Sequence, residues 1–290
     1  MLRHVIKLSL LGPGLAFLIW WGWSGNFAFN YGDLFWLAEQ ETFYRLYVGG
    51  RASGWARRTI SKEPDSGNME ITEQSLLDLK IGEMALGLKT ESKTVFSSRG
   101  RLISASFSVP LGDQTASAEA VVDRDRLVSR LSFGKNLREA SFPVPPNGPL
   151  VVSGIVPWLG HQRDMPLGRA LGVELFDPVS MSFKSGQLTI EEDTAQSEEI
   201  QTFKLTLKFM SAESTEWVDS NGQRLRQYNQ GLDTELVLVQ DPSFVDQAKE
   251  ALAGPIPNPI DKDLVGFLEQ ALAGYGLEAL SGLSNELLSD

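Results

Sequence analysis

The chain of 290 residues contains no cysteine. No disulfide braces it, no thiolate attacks a substrate, and neither a Cys-based zinc site nor a Cys-linked lipid anchor can form. Histidine is almost as scarce, with only His4 and His161. His4 belongs to the N-terminal segment, so beyond it no site with two imidazoles can be built. A Ser-His-Asp arrangement has only His161 to draw on, and His161-Gln162-Arg163-Asp164 reads as a polar surface loop. Positive charge is in the minority, with 26 Lys and Arg against 37 Asp and Glu and a net charge of −11. This balance argues against a nucleic-acid partner, which needs clustered basic residues, and against docking on an anionic bilayer by charge alone. No phosphate-cradling Gly-x-x-x-x-Gly-Lys occurs.

One absence is local. No charged residue stands between Leu8 and Gly32. The strongly apolar part includes Leu15, Phe17, Leu18, Ile19, Trp20, Trp21 and Trp23. With Val5 and Ile6 it approaches the ~20 residues needed to cross ~30 Å of hydrocarbon. Arg3, His4 and Lys7 precede the run, and Asp33, Glu39 and Glu41 follow it. The positive-inside rule then places the N-terminus in the cytoplasm, and the tryptophans suit the outer headgroup layer. A cleaved signal peptide shares the basic start. Its cut, however, follows small residues, and here the core ends in Trp20-Trp21-Gly22-Trp23. The expectation is therefore a single-pass anchor in a bacterial inner membrane over residues 1–32. The rest is periplasmic or otherwise extracytoplasmic: a β domain over 33–240 and a helical tail over 241–290.

From Thr42 to Val239 the pattern is short strands between turn signals. Phe43 to Val48 ends at Gly49-Gly50, a hairpin dipeptide, and Trp55 to Ser61 runs to the turn cluster Pro64 to Asn68. Met69-Glu70-Ile71-Thr72-Glu73 alternates as a strand with one wet face does. Further strands are expected at 89–97, 102–109, 114–122, 127–133, 187–191, 202–209, 215–218, 224–229 and 234–239. A hairpin theme recurs around Ser98-Arg99-Gly100-Arg101, Asp123-Arg124-Asp125-Arg126 and Asp219-Ser220-Asn221-Gly222. Pro143 to Pro149 breaks the series and either divides two subdomains or bridges two layers. Leu150 to Leu159 suits a short helix, and Phe176-Asp177-Pro178 starts another β region. Pro242-Ser243 caps a helix through about Ala253. A stiff linker, Gly254 to Pro259, leads to amphipathic segments with Leu264, Leu268 and Tyr275, then Leu277, Leu280 and Leu287. These stripes pack on the protein's own sheet or dock on a partner. The fold class is mainly β: a transmembrane helix, an antiparallel sheet forming a half-barrel or a sandwich, and C-terminal helices.

Chemical motifs are thin. Ser132-Phe133-Gly134-Lys135 has the Ser-x-x-Lys spacing but falls at a strand end, where that chemistry wants one helix turn. Gly274-Tyr275-Gly276-Leu277-Glu278-Ala279 lacks the preceding strand of a dinucleotide fold. Glu191-Glu192-Asp193 and Glu198-Glu199 read as a solvated loop. The pairs Arg57-Arg58, Arg99/Arg101 and Arg124/Arg126 protect sheet edges by charge or form an anionic-ligand site. No catalytic residue, cofactor or metal is expected.

The segments Tyr47-Val48-Gly49-Gly50-Arg51-Ala52-Ser53-Gly54-Trp55 and Trp217-Val218-Asp219-Ser220-Asn221-Gly222 resemble the opening and late hairpins of bacterial envelope β domains. The chain from Thr42 to Val239 resembles the β domain that precedes transglutaminase-like modules, and more distantly the lipoprotein-carrier half-barrels that hold acyl chains. The resemblance implies an antiparallel sheet. It implies no transglutaminase activity, because the Cys is missing. The functional expectation is a non-catalytic envelope protein binding a partner protein or an apolar or lipid ligand near the membrane. The alternatives are an accessory subunit of a membrane transport or assembly complex, and a hydrolase using Ser or carboxylates.

Overall fold

The computed structural model describes residues 39–81, 84–97, 102–144, 168–177, 182–193, 202–209, 212–219 and 222–259. The first half contributes β1 (Gln40–Val48), β2 (Arg51–Lys62), β3 (Met69–Ile81), β4 (Met84–Phe96), β5 (Leu102–Leu111), β6 (Gln114–Asp123), β7 (Arg126–Phe133) and β8 (Asn136–Pro143). The second half contributes β9 (Ala170–Asp177), β10 (Ser182–Asp193), β11 (Thr202–Phe209), β12 (Ala212–Asp219), β13 (Arg224–Asn229) and β14 (Thr234–Val239). A helix, α1 (Pro242–Ala253), follows. All fourteen strands form one antiparallel sheet, ordered β8-β7-β6-β5-β4-β3-β2-β1-β14-β13-β12-β11-β10-β9. The strands on either side of the Pro-rich break therefore share one sheet, joined where Phe43 pairs with Val239 and Val48 with Thr234.

The inner strands form for the reason their pattern suggests. Apolar residues alternate with polar ones, so one face is buried. In β5, Leu102, Ala105, Phe107, Val109 and Leu111 are buried, and Ala116, Ala118 and Ala120 do the same in β6. Turn chemistry sets the hairpins. Gly49 and Gly50 adopt φ of 56° and 71°, Gly222 adopts 78°, and Arg124 takes a left-handed φ of 57° between β6 and β7. Two hairpins of the recurrent theme carry a register shift, at Val95/Phe96 and at Trp217/Val218. Such bulges increase local twist and bend a strand.

The sheet curls until its ends meet. Thirteen strand steps of ~4.8 Å would leave β8 and β9 roughly 60 Å apart in a flat sheet. Instead the Phe142 ring of β8 lies 5.5 Å from Phe176 of β9, and Phe183 of β10 lies 5.4 Å from Phe176. Among the described residues no ladder pairs β8 with β9, and the Phe142 and Phe176 rings bring the two strands together. One contiguous core fills the concave side, from Tyr44 and Ile71 through Phe96 and Phe107 to Leu188 and Ile190.

The helix lies on the opposite, convex face. Ala248 and Leu252 of α1 pack on Phe43, Trp55 and Leu76, the outward residues of β1, β2 and β3. Its cap is Asp241, one residue before the expected position; the Asp241 carboxylate accepts from the backbone N–H of Ser243 at 2.8 Å. Lys89 Nζ donates to the Leu252 carbonyl at 2.6 Å, and Gly87 N–H donates to the Asn258 carbonyl at 2.8 Å. The linker thus straps across β4, and only glycine fits beneath it: a Cβ on Gly87 would stand 1.6 Å from the Pro257 oxygen.

Several expectations are corrected. The strand β8 was not anticipated, because an edge strand has little apolar alternation to read; most of its residues are exposed. Phe176-Asp177 ends β9 where a strand was expected to begin. Glu191-Glu192-Asp193 belongs to β10 and pairs with β11, with Glu191 facing Lys204, so these carboxylates do not lie in a loop. The anchor residues Leu15, Phe17, Leu18, Ile19, Trp20, Trp21 and Trp23, the segment 150–159, His161 and the tail beyond 259 lie outside the described residues. Among the described residues no helix is long and apolar enough to cross a membrane.

Candidate functional site: a polar band inside the curled sheet

Strand parity decides what faces inward. Ile60 and Ala56 are buried in β2, and Arg58 sits between them at the same parity, so Arg58 points into the core while Arg57 points out. Arg58 is only 3% exposed. Arg57 instead reaches Gln74 at 2.6 Å and Glu41 at 3.4 Å on the convex face. The same parity in β3 carries Met69, Ile71, Glu73, Ser75 and Leu77, so Glu73 faces inward as well.

Register aligns these groups. Thr42 pairs with Arg58, Arg58 with Glu73, and Glu73 with Ser92, one row across β1 to β4. The row beside it pairs Ser75 with Thr90, whose hydroxyls are 2.6 Å apart. On its other side Ile71 pairs with Thr94, and the row runs through Ala105 and Ala120 to Ser129.

Curvature brings in the far strands. In the sheet β13 is four steps from β3, roughly 19 Å if flat. Yet Arg224 Nη1 donates to Glu73 at 2.9 Å, and Arg224 Nε donates to Glu216 at 2.6 Å. The Arg58 Nε lies 3.5 Å from Glu73, an ion-pair distance outside hydrogen-bonding geometry. Tyr44 lies over this cluster: Thr42 Oγ1 donates to its oxygen at 3.1 Å, and its hydroxyl donates to the Arg224 carbonyl at 3.3 Å. Two guanidinium groups face two carboxylates, so the cluster is formally neutral.

Burial shapes its protonation. Burial pushes the Tyr44 phenol above its ordinary range, although Arg224 and Arg58 pull the other way. For Arg224, burial opposes the charge, but Glu216 and Glu73 outweigh it and hold the guanidinium protonated. Beyond these pairs, Arg58 Nε and Nη2, Ser92 Oγ, Thr94 Oγ1 and Ser129 Oγ find no hydrogen-bond partner among the described residues.

The remaining motifs are scattered. Ser132 Oγ pairs with Ser117 Oγ at 2.7 Å across β6 and β7, and Ser132-Phe133 ends a strand before a turn, with no helix to bring Lys135 over it. Arg126 donates to Ser141 at 2.7 Å within the β7–β8 hairpin. Arg57 and Arg58 do not guard an edge, because β2 lies inside the sheet and the edges are β8 and β9. Among the described residues no group of three or more His, Asp or Glu side chains converges on a metal-sized point. The band thus sets charged and hydroxyl donors and acceptors together in a largely buried interior.

Comparison with known proteins finds no matching family model, no matching curated protein and no matching solved structure.

The Arg58–Glu73 pair had a sequence signal that motif reading passed over. Both residues share the parity of their strand's apolar positions, at Ala56/Ile60 and Met69/Ile71. Arg224 and Glu216 had none of comparable strength, since a bulge interrupts the parity of β12 against β13.

Proposed function

We propose that this chain is a membrane-tethered, non-catalytic envelope protein whose curled sheet takes up an apolar or lipid-type ligand beside the bilayer. The observation that carries this reading is the seam between β8 and β9. A fully laddered barrel is held shut by backbone hydrogen bonds along its whole height. Here the ends meet through Phe142, Phe176 and Phe183. Ring contacts of this kind contribute about 0.5–1.5 kcal/mol each beyond their area, so the seam parts more readily than any ladder in the sheet. A half-barrel that opens along one side is the shape a carrier of acyl chains needs. The likeness of the Tyr47–Trp55 and Trp217–Gly222 hairpins to envelope β domains supports the same reading.

The uncharged run holding Leu18, Ile19, Trp20 and Trp21 supplies the tether, with the β domain on the outer side of a bacterial inner membrane. Because the interior is packed, an incoming chain displaces side chains at the seam. The test is purification of the full chain from membranes in mild detergent, followed by organic extraction and mass spectrometry. The expected result is lipid in stoichiometric amount, reduced in Phe142→Ala. Protein free of lipid that copurifies with a stoichiometric partner protein would overturn the reading in favour of an accessory subunit.

A further inference from the structure

The polar band holds more hydrogen-bonding capacity than the chain itself consumes. Arg58 Nε and Nη2 are buried without an acceptor, and Ser92 Oγ, two strands away in the same row, is buried without a partner. Buried polar groups in folded proteins are rarely left so. Arg58 and Ser92 line one cavity with Tyr44, Ser75, Thr90 and Leu236, about 360 Å³ counted out to its mouth.

Charge and size select what fits. Arg58 and Arg224 already balance Glu73 and Glu216. A carboxylate or phosphate brought here would leave an uncompensated negative charge in a largely buried interior, which is costly. A neutral acceptor adds no charge and still meets the free donors. Within the cavity the space open to a water-sized group is small, about that of a single water. Inward from Ser92, Phe107 stands beside it across the ladder, and Thr94 separates it from Phe96 along the strand, with Ile71 opposite Thr94.

We infer that Arg58 and Ser92 form the head-group subsite for a neutral acyl ester or amide, whose carbonyl oxygen accepts from both while its chain lies over Phe107 and Phe96. The inference rests on the proposal that the sheet interior receives a lipid-type ligand, and it adds the chemistry of the head.

Three probes test it on the full chain in mild detergent. Each is a sixteen-carbon chain with a diazirine beside its head: a methyl ester, the free carboxylate, and a hydrocarbon with no head group. Cross-linked residues are mapped by mass spectrometry. The ester should label the cavity wall about tenfold more than the hydrocarbon, as expected for one hydrogen bond from a charged donor. The carboxylate should do no better than the hydrocarbon. Arg58→Met should lower ester labelling to the hydrocarbon level, and Ser92→Ala, a gentler change, should lower it several-fold. Lys93→Gln, at an exposed position of β4 outside the cavity, should leave it unchanged. Equal labelling by ester and hydrocarbon, or wild-type labelling in Ser92→Ala, overturns the subsite and leaves the carrier reading standing. Preference for the carboxylate overturns the neutral-head assignment. No interior labelling by any probe overturns both.

Discussion

Removing the charge of Glu73 should unbalance the buried cluster, and removing Arg58 as well should restore it. Glu73 lies 2.9 Å from Arg224 Nη1 and 3.5 Å from Arg58 Nε. At an effective dielectric constant of ~20 these separations correspond to about 6 and 5 kcal/mol of attraction. Glu73→Gln forfeits both and recovers a desolvation cost of several kcal/mol for the carboxylate. The net loss expected for breaking a buried pair is then about 3–5 kcal/mol. In Glu73→Gln two guanidinium groups face Glu216 alone. Adding Arg58→Met leaves Arg224 with Glu216, one cation to one anion, and the methionine fills part of the vacated volume. The double variant should therefore be more stable than Glu73→Gln by roughly 1–3 kcal/mol, the coupling typical of neighbours in one network. Urea unfolding followed by tryptophan fluorescence measures this, with Trp55 and Trp217 reporting on the sheet. A Glu73→Gln variant within ~1 kcal/mol of the parent, or a double variant as unstable as the sum of its singles, would refute the charge argument.

Three other outcomes are expected. Gly87→Ala should lift the linker off β4, because the new Cβ would meet the Pro257 oxygen at 1.6 Å. The Gly87–Asn258 and Lys89–Leu252 hydrogen bonds are lost with it, at about 2–4 kcal/mol together, and limited proteolysis should then cut near residues 254–259. Tyr44→Phe should cost about 0.5–1.5 kcal/mol at neutral pH. The folded phenol titrates above its usual value of 10.0, so the unfolded chain loses its proton first and stability falls as pH rises past 10. The variant should lose that part of the alkaline decline and keep the part due to Tyr228, whose phenol is raised by its hydrogen bond to Asp233. At Asp241, hydrogen bonds from Ser243 hold the carboxyl below its usual 3.8. Its contribution is full above that value and is lost as pH falls through the lowered one. Thermal melts should show Asp241→Ala weaker than the parent at pH 7 and matched to it in strong acid.

Much of the sheet was legible because local chemistry writes strands plainly. Alternation in Met69–Glu73, Gly49-Gly50 after Val48, and the Asp219–Gly222 turn each act over a few residues. The strands expected between Phe43 and Val239 coincide with observed ones for the same reason. The strand β8 escaped, since most of its residues are exposed and its alternation is weak, and β9 was read only from its end at Phe176-Asp177. The polar band was half legible. The parity that sets Glu73 with Ile71 and Arg58 with Ile60 is present in the sequence, but two adjacent arginines read more simply as surface charge.

What the sequence determined by itself, then, was the element type, most strand positions, and the exclusion of thiol and multi-histidine chemistry. These depend on residue identity and on contacts between close neighbours. Only the tertiary structure decided that β1 pairs with β14, that β8 and β9 meet through rings, and that Arg224 reaches Glu73 from four strands away. Each of these depends on how far the sheet curls. That curvature is the sum of small twists over fourteen strands, with bulges adding to it at particular points, and no single stretch of the chain carries it.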